Sequence, residues 1–160
     1  MPMPNIPFRV HPSGWIATVL CFLLGIWVDG RRLGPLFGAL LIASLLLHEA
    51  GHMLAAVLLR VPVREFGLRA LGAYTRRAQS GSRRDEILIA AAGPLINLLV
   101  AIPLFFGRTF CIQLALGNLA LCVVNLIPLP SSDGLRILRA VWRPSTPAPL
   151  VPALSQPPSQ

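Results

Sequence analysis

The chain has 160 residues, 54% of them hydrophobic and 12% charged, with a mean hydropathy of +0.68. A water-soluble domain carries roughly a quarter charged residues, so this composition excludes an ordinary soluble domain and describes one compact membrane unit. The formal charge of +8 comes entirely from arginine; the arginines lie between apolar runs, not in one block, which argues for membrane-surface loops and against nucleic acid as a partner.

Residues 15–28 (WIATVLCFLLGIWV) form the first apolar stretch. Fourteen helical residues rise roughly 21 Å, less than the roughly 30 Å hydrocarbon core. The stretch must borrow flanking residues, sit in thinned bilayer or enter only partly. A signal peptide is the rival reading. Against it stand a basic flank of Arg9 alone and the run Asp29-Gly30-Arg31-Arg32 in place of a small-residue cleavage site. Residues 35–59 are long enough to span and carry His48, Glu49 and His52 near their middle. The polar loop 60–86 holds Val, Phe and Tyr among glycines, which predicts one or two short strands lying against the membrane surface.

Residues 87–106 and about 110–129 are two further spans, joined tightly through Gly107 and Arg108. Each contains Pro and Asn, so irregular helices are expected. The tail 144–160 is rich in Pro and Ser and reads as disordered. The fold class is therefore an all-α polytopic membrane protein. It has about four transmembrane helices, a three-helix catalytic core and a short membrane-associated β element, in a single domain over 1–143. Cys21, Cys111 and Cys122 lie in apolar stretches without paired spacing and read as small buried hydrophobes.

Arg9, Arg60, Arg64, Arg69, Arg76, Arg77, Arg83, Arg84, Arg136, Arg139 and Arg143 fall on one side of four spans. Arg31, Arg32 and Arg108 fall on the other. The arginine-rich side is cytoplasmic, which puts both termini and the nearer half of the second span there. If the first stretch does not cross, only the N-terminus moves.

Three of the nine histidines and acids are concentrated in His48-Glu49-Ala50-Gly51-His52. On a helix, positions 48 and 52 share a face. Two imidazoles so placed hold one Zn²⁺, with Glu49 beside them as general base. Ionisable groups deep in a span cost roughly 2.5–3.5 kcal/mol each and seldom sit there idle, which favours ligation over satisfied core histidines. Catalytic zinc takes a third protein ligand. His11 precedes the first span, and Asp85 and Glu86 are explained by a helix N-terminus. By elimination Asp133 is the best third ligand, since Pro128 and Pro130 break the fourth span and turn the chain back. An exposed turn Asp-Gly is the alternative. Asn97, Asn118 and Asn125 are either interhelical hydrogen-bond glue or donors to a substrate carbonyl and its oxyanion.

At these residues the sequence resembles the site-2 protease family of intramembrane zinc metalloproteases, peptidase family M50. His48–His52 matches its HExxH helix. Gly93-Pro94-Leu95-Ile96-Asn97 is similar to its GPxxN segment, and Asn125-Leu126-Ile127-Pro128 through Asp133-Gly134 to its NxxPxxxxDG segment. FRVHPSGW at 8–15 resembles the entry of compact, sporulation-factor-type members. The likeness covers about residues 8–143. It implies His48, His52 and Asp133 as ligands of one zinc ion, Glu49 as general base, and Asn97 and Asn125 as residues that hold substrate. It further implies that the 60–86 loop supplies an edge strand for an unwound transmembrane substrate. Ser132 and Leu135 depart from the family's Leu and second Gly.

The function expected is regulated intramembrane proteolysis in a prokaryotic plasma membrane. The partners are membrane lipid and transmembrane proteins. Two rivals are a metal-transport protein, which would string ionisable groups along a path, and an inactive relative acting as a binding partner, which would tolerate loss of Glu49.

Overall fold

The computed structural model describes residues 6–69, 72–80 and 82–142. In chain order these form β1 (Phe8–Val10), α1 (Gly14–Leu58), β2 (Val63–Arg69), β3 (Gly72–Arg77), α2 (Arg83–Leu104), α3 (Thr109–Leu126) and α4 (Asp133–Trp142). The tail expected to be disordered, 144–160, lies outside the described residues. Among those described, α1, α2 and α3 are long and apolar enough to cross a membrane. Their outward faces carry exposed Leu, Ile, Val, Phe and Trp side chains, as a lipid-facing surface requires. The protein is an integral membrane protein in a lipid environment.

The first two apolar stretches are both present, as arms of α1. The helix breaks at Gly30, whose φ of 66° and ψ of −172° suit glycine alone. Gly25 then lies directly against Gly34, and Gly38 against Cys21 and Phe22. In one straight helix Gly25 and Gly34 would stand about 13 Å apart, so the arms fold back antiparallel. Small residues at the crossing let the two backbones touch. On α3, Gln113 turns its amide nitrogen to Asp29, 2.9 Å and 3.3 Å from the two carboxylate oxygens, which ties down this end.

The antiparallel register sets Gly14 level with about Leu45, so the first arm ends roughly 20 Å short of Leu58 at helical rise. It runs alongside only part of the second arm. A three-stranded sheet fills the space beneath it. β1 runs parallel to β2, pairing Phe8 with Phe66 and Val10 with Leu68, and β2 pairs antiparallel with β3. The strands expected in 60–86 are therefore joined by a third from before the first arm. At Gly72 the sheet meets the Leu45 side chain, part-way along the second arm.

The sheet has two faces. Phe66 and Leu68 lie on the face towards α1, while Arg9, Glu65, Arg69, Tyr74 and Arg76 line an open polar cleft of about 630 Å³ on the other. Arg77 grips Glu86 at the start of α2 through two bonds of 2.9 and 2.8 Å, and Glu86 also accepts from the Ser80 amide. Glu86 thus ties the sheet to α2, a stronger reason for its place than the helix dipole. Asp85 keeps its N-terminal role, with its backbone amide bonded to the Ser82 hydroxyl.

α2 is the centre of the bundle and packs on α1, α3 and α4. It starts at Arg83, earlier than expected, and runs unbroken through Pro94 and Pro103. Irregular helices were expected here, but each proline removes a single backbone bond, and neighbouring helices confine the chain. α3 ends at Leu126, and Ile127 adopts extended backbone before Pro128. The chain then doubles back into α4, a short amphipathic helix that no apolar run announced.

Candidate metal centre

Four segments converge on the middle of the second arm. His48 and His52 lie one turn apart on α1, both buried. Gly51 between them lets α2 approach, because a Cβ there would press on Ile96 and the Ala92 carbonyl. Gly93 presents its bare Cα to the imidazoles; a Cβ would collide with both the His52 and His48 rings. The glycine of the GPxxN segment is thus part of the site wall, and sequence patterning gave no physical reason for it.

Asp133 arrives from the far side at the head of α4, 3% exposed. Its Oδ2 lies 3.1 Å from His48 Nε2 and 3.1 Å from His52 Nε2, and those nitrogens are 3.1 Å from each other. The exposed turn Asp-Gly is therefore not what the fold builds. Ser132 and Gly134 explain the return. The Ser132 hydroxyl accepts from the Leu135 amide and donates to the Ile127 carbonyl, capping α4 and tying it to the end of α3. Gly134 sits against the Leu126 carbonyl, where no side chain fits. Ser132, one of the two departures from the family pattern, thus secures the carboxylate.

His52 Nδ1 donates to the Ile89 carbonyl at 2.6 Å, and His48 Nδ1 to Asn97 Oδ1 at 2.6 Å. With both protons on Nδ1, two Nε2 lone pairs and a carboxylate oxygen face one another. That is a repulsive arrangement with nothing between them. Its edges of 3.1 Å are close to the roughly 3.3 Å edge of a tetrahedron with bonds of about 2.0 Å, the zinc–nitrogen length. The donor set, two imidazoles and one carboxylate, fits a zinc ion with its fourth position open. Glu49 is half-buried beside them, its carboxylate within 4.8 Å of the two histidine donors.

The asparagines separate. Asn97 and Asn118 are both 0% exposed. Asn97 donates to Asn118 Oδ1 at 3.1 Å, and Asn118 donates to the Leu114 carbonyl at 3.0 Å. The amide expected to hold substrate is thus already engaged with a histidine. Asn125 bonds back to the Leu121 carbonyl at 2.8 Å, and no hydrogen bond joins it to the histidines. His11 stays remote, bonded to Ser13. Cys122 is buried, Cys21 and Cys111 partly so, and all three are free thiols.

The family model described as Peptidase family M50 matches residues 36–113, which hold the HEAGH and GPxxN segments. A zinc metalloprotease of Methanocaldococcus jannaschii is 32% identical over 86% of this chain and 43% of its own length. Stage IV sporulation protein FB of Bacillus subtilis is 28% identical over 83% of this chain and 46% of its own length. The chain spans less than half the length of these curated relatives. Among solved structures, the site-2 protease from Methanocaldococcus jannaschii superposes with a TM-score of 0.70 at 28% identity, covering 88% of this chain and 69% of that one. The resemblance read from HEAGH, GPxxN and the Asp133 segment is borne out: the Peptidase family M50 model matches just under half of the chain, and the chain has the fold of a site-2 protease.

Proposed function

We propose that the protein is an intramembrane zinc endopeptidase that hydrolyses peptide bonds of transmembrane proteins from the cytoplasmic side of a prokaryotic plasma membrane. The observation that carries this reading is the triangle of His48, His52 and Asp133 donors beside Glu49, buried in the middle of an apolar helix bundle. Zinc, when bound, supplies a Lewis acid and lowers the pKa of its water to roughly 7. Glu49 accepts the proton of the attacking water and returns it to the leaving amine. Asn97 fixes the His48 ring, and Asn125, at the end of α3, is the better placed of the two asparagines to hold substrate.

The sheet supports the way a substrate would lie. Among the described residues its order, β1-β2-β3, leaves one side of β3 unpaired. The Thr75 hydroxyl on that strand donates to the Glu49 carbonyl at 3.2 Å. An unwound substrate segment added to β3 by main-chain pairing would therefore run next to the general base. The positive-inside distribution of arginine supports a cytoplasmic sheet end. A transport path would need ionisable groups strung through the bundle. Among the described residues, the one metal-binding group lies at this site.

The test is Glu49→Gln in purified protein in detergent, with zinc and a panel of single-span substrates. Lost cleavage with retained zinc is the expected result. Cleavage unchanged in the variant would overturn the reading.

A further inference from the structure

The Asn97–Asn118 pair has a direction, and that direction reaches the metal site. The Leu114 backbone carbonyl only accepts, so the Asn118 amide nitrogen must face it. That leaves Asn118 Oδ1 towards Asn97, where it takes the Asn97 amide hydrogen. Asn97 must then present Oδ1 to His48, which obliges His48 to carry its proton on Nδ1 and to keep Nε2 as a bare lone pair. All of this is sealed from water, since neither asparagine has exposed surface. His52 needs no such relay, because Ile89 offers a backbone carbonyl directly.

We propose that Asn118, on a helix that supplies no zinc ligand, is a positioning residue for the metal site: through Asn97 it fixes which nitrogen of His48 is free to bind the ion. A side-chain amide has two orientations of similar shape. Without a polar anchor at 118, Asn97 is free to turn its nitrogen to His48, and in that orientation His48 accepts on Nδ1 and carries its proton on Nε2. A proton there occupies the lone pair that the metal needs. Partners of this kind behind a metal-binding imidazole are worth 10–100-fold in affinity or activity.

The inference rests on the zinc reading but not on protease activity, so its test reads metal. Zinc affinity of the full chain in detergent is measured by competition with a chelator. The visible absorption of the Co²⁺-loaded protein reports ligand geometry, and circular dichroism of the metal-free protein reports folding. Asn118→Leu is expected to weaken zinc binding 10–100-fold and to alter the Co²⁺ spectrum with helix content kept; Asn118→Ala replaces it if the leucine variant does not fold.

Asn118→Asp separates positioning from packing. A carboxyl buried there stays neutral, so it donates to Leu114 and accepts from Asn97 as the amide does. Its zinc affinity is expected within about threefold of wild type, well inside the loss seen for a missing partner. In an Asn97→Leu background, Asn118→Leu should add nothing, because the relay is already cut. The proposal is overturned if Asn118→Leu binds zinc as wild type, if Asn118→Asp is no better than Asn118→Leu, or if the two leucine losses add in full. A protein that binds zinc with this pattern and cuts no substrate would overturn the protease reading and leave this one standing.

Discussion

The two polar regions of this molecule are built on opposite principles. At the metal centre the polar groups are closed in: the imidazoles, Asp133, Asn97 and Asn118 have almost no exposed surface, and a relay of hydrogen bonds runs from His48 through Asn97 to Asn118. On the outer face of the sheet the arginines are open. Arg9 reaches Glu65 at 3.9 Å with its side chain 70% exposed, and Arg76 reaches it at 3.4 Å. In the first region one misplaced atom leaves a buried group unpaired. In the second, water replaces whatever is lost. The difference explains why the same kinds of side chain are decisive in one place and replaceable in the other.

Substitutions graded across the two regions test that contrast. The largest effect is expected from Gly93→Ala, because its methyl would collide with both imidazoles. Zinc affinity should fall by about a hundredfold or more, at or beyond the upper end for a lost supporting partner. Stoichiometric zinc after purification would break the comparison. Next comes the metal itself. Stripping zinc leaves the Nε2 lone pairs and Asp133 facing one another. Free zinc at a hundred times its dissociation constant should stabilise the fold by about 2.7 kcal/mol, read as a rise in melting temperature that a chelator reverses.

Arg77→Ala is intermediate. It strands the half-enclosed Glu86 carboxylate and should cost about 2 kcal/mol, with cleavage falling as β3 loosens and zinc content unchanged. Lost zinc would show that the regions are coupled more tightly than described. Arg9→Ala should cost less than about 1 kcal/mol, and thermal unfolding that shifts by more would mean that the open face is not as forgiving as its exposure implies.

Much of this was legible in the chain, for reasons that can be separated. HEAGH was readable because helical spacing alone sets His48 and His52 on one face. The apolar runs, the short first stretch and the loop strands were readable from length and residue type. Asp133 needed a chain reversal that Pro128 and Pro130 suggest but do not aim; the aim comes from Ser132 and Gly134. The Gly93 contact could not be read, since a missing side chain has meaning only beside the atoms it makes room for. Nor could β1: three residues pair with a strand far along the chain, and no local pattern records a parallel partner. The asparagines were visible as polar groups at depth, but their order, His48 to Asn97 to Asn118, exists only across three helices.

The break at Gly30 also has a consequence for insertion into the bilayer. The first arm is too short to cross a hydrocarbon core alone, and its reversal leaves no loop long enough to wait outside while the second arm inserts. Each arm shields the other's backbone at Gly25, Gly34 and Gly38. The two arms are therefore expected to insert together, as one closed pair. A mutation that stiffens or lengthens the elbow at Gly30 should show itself during biogenesis, as failed membrane integration, before any defect in the finished protein is reached.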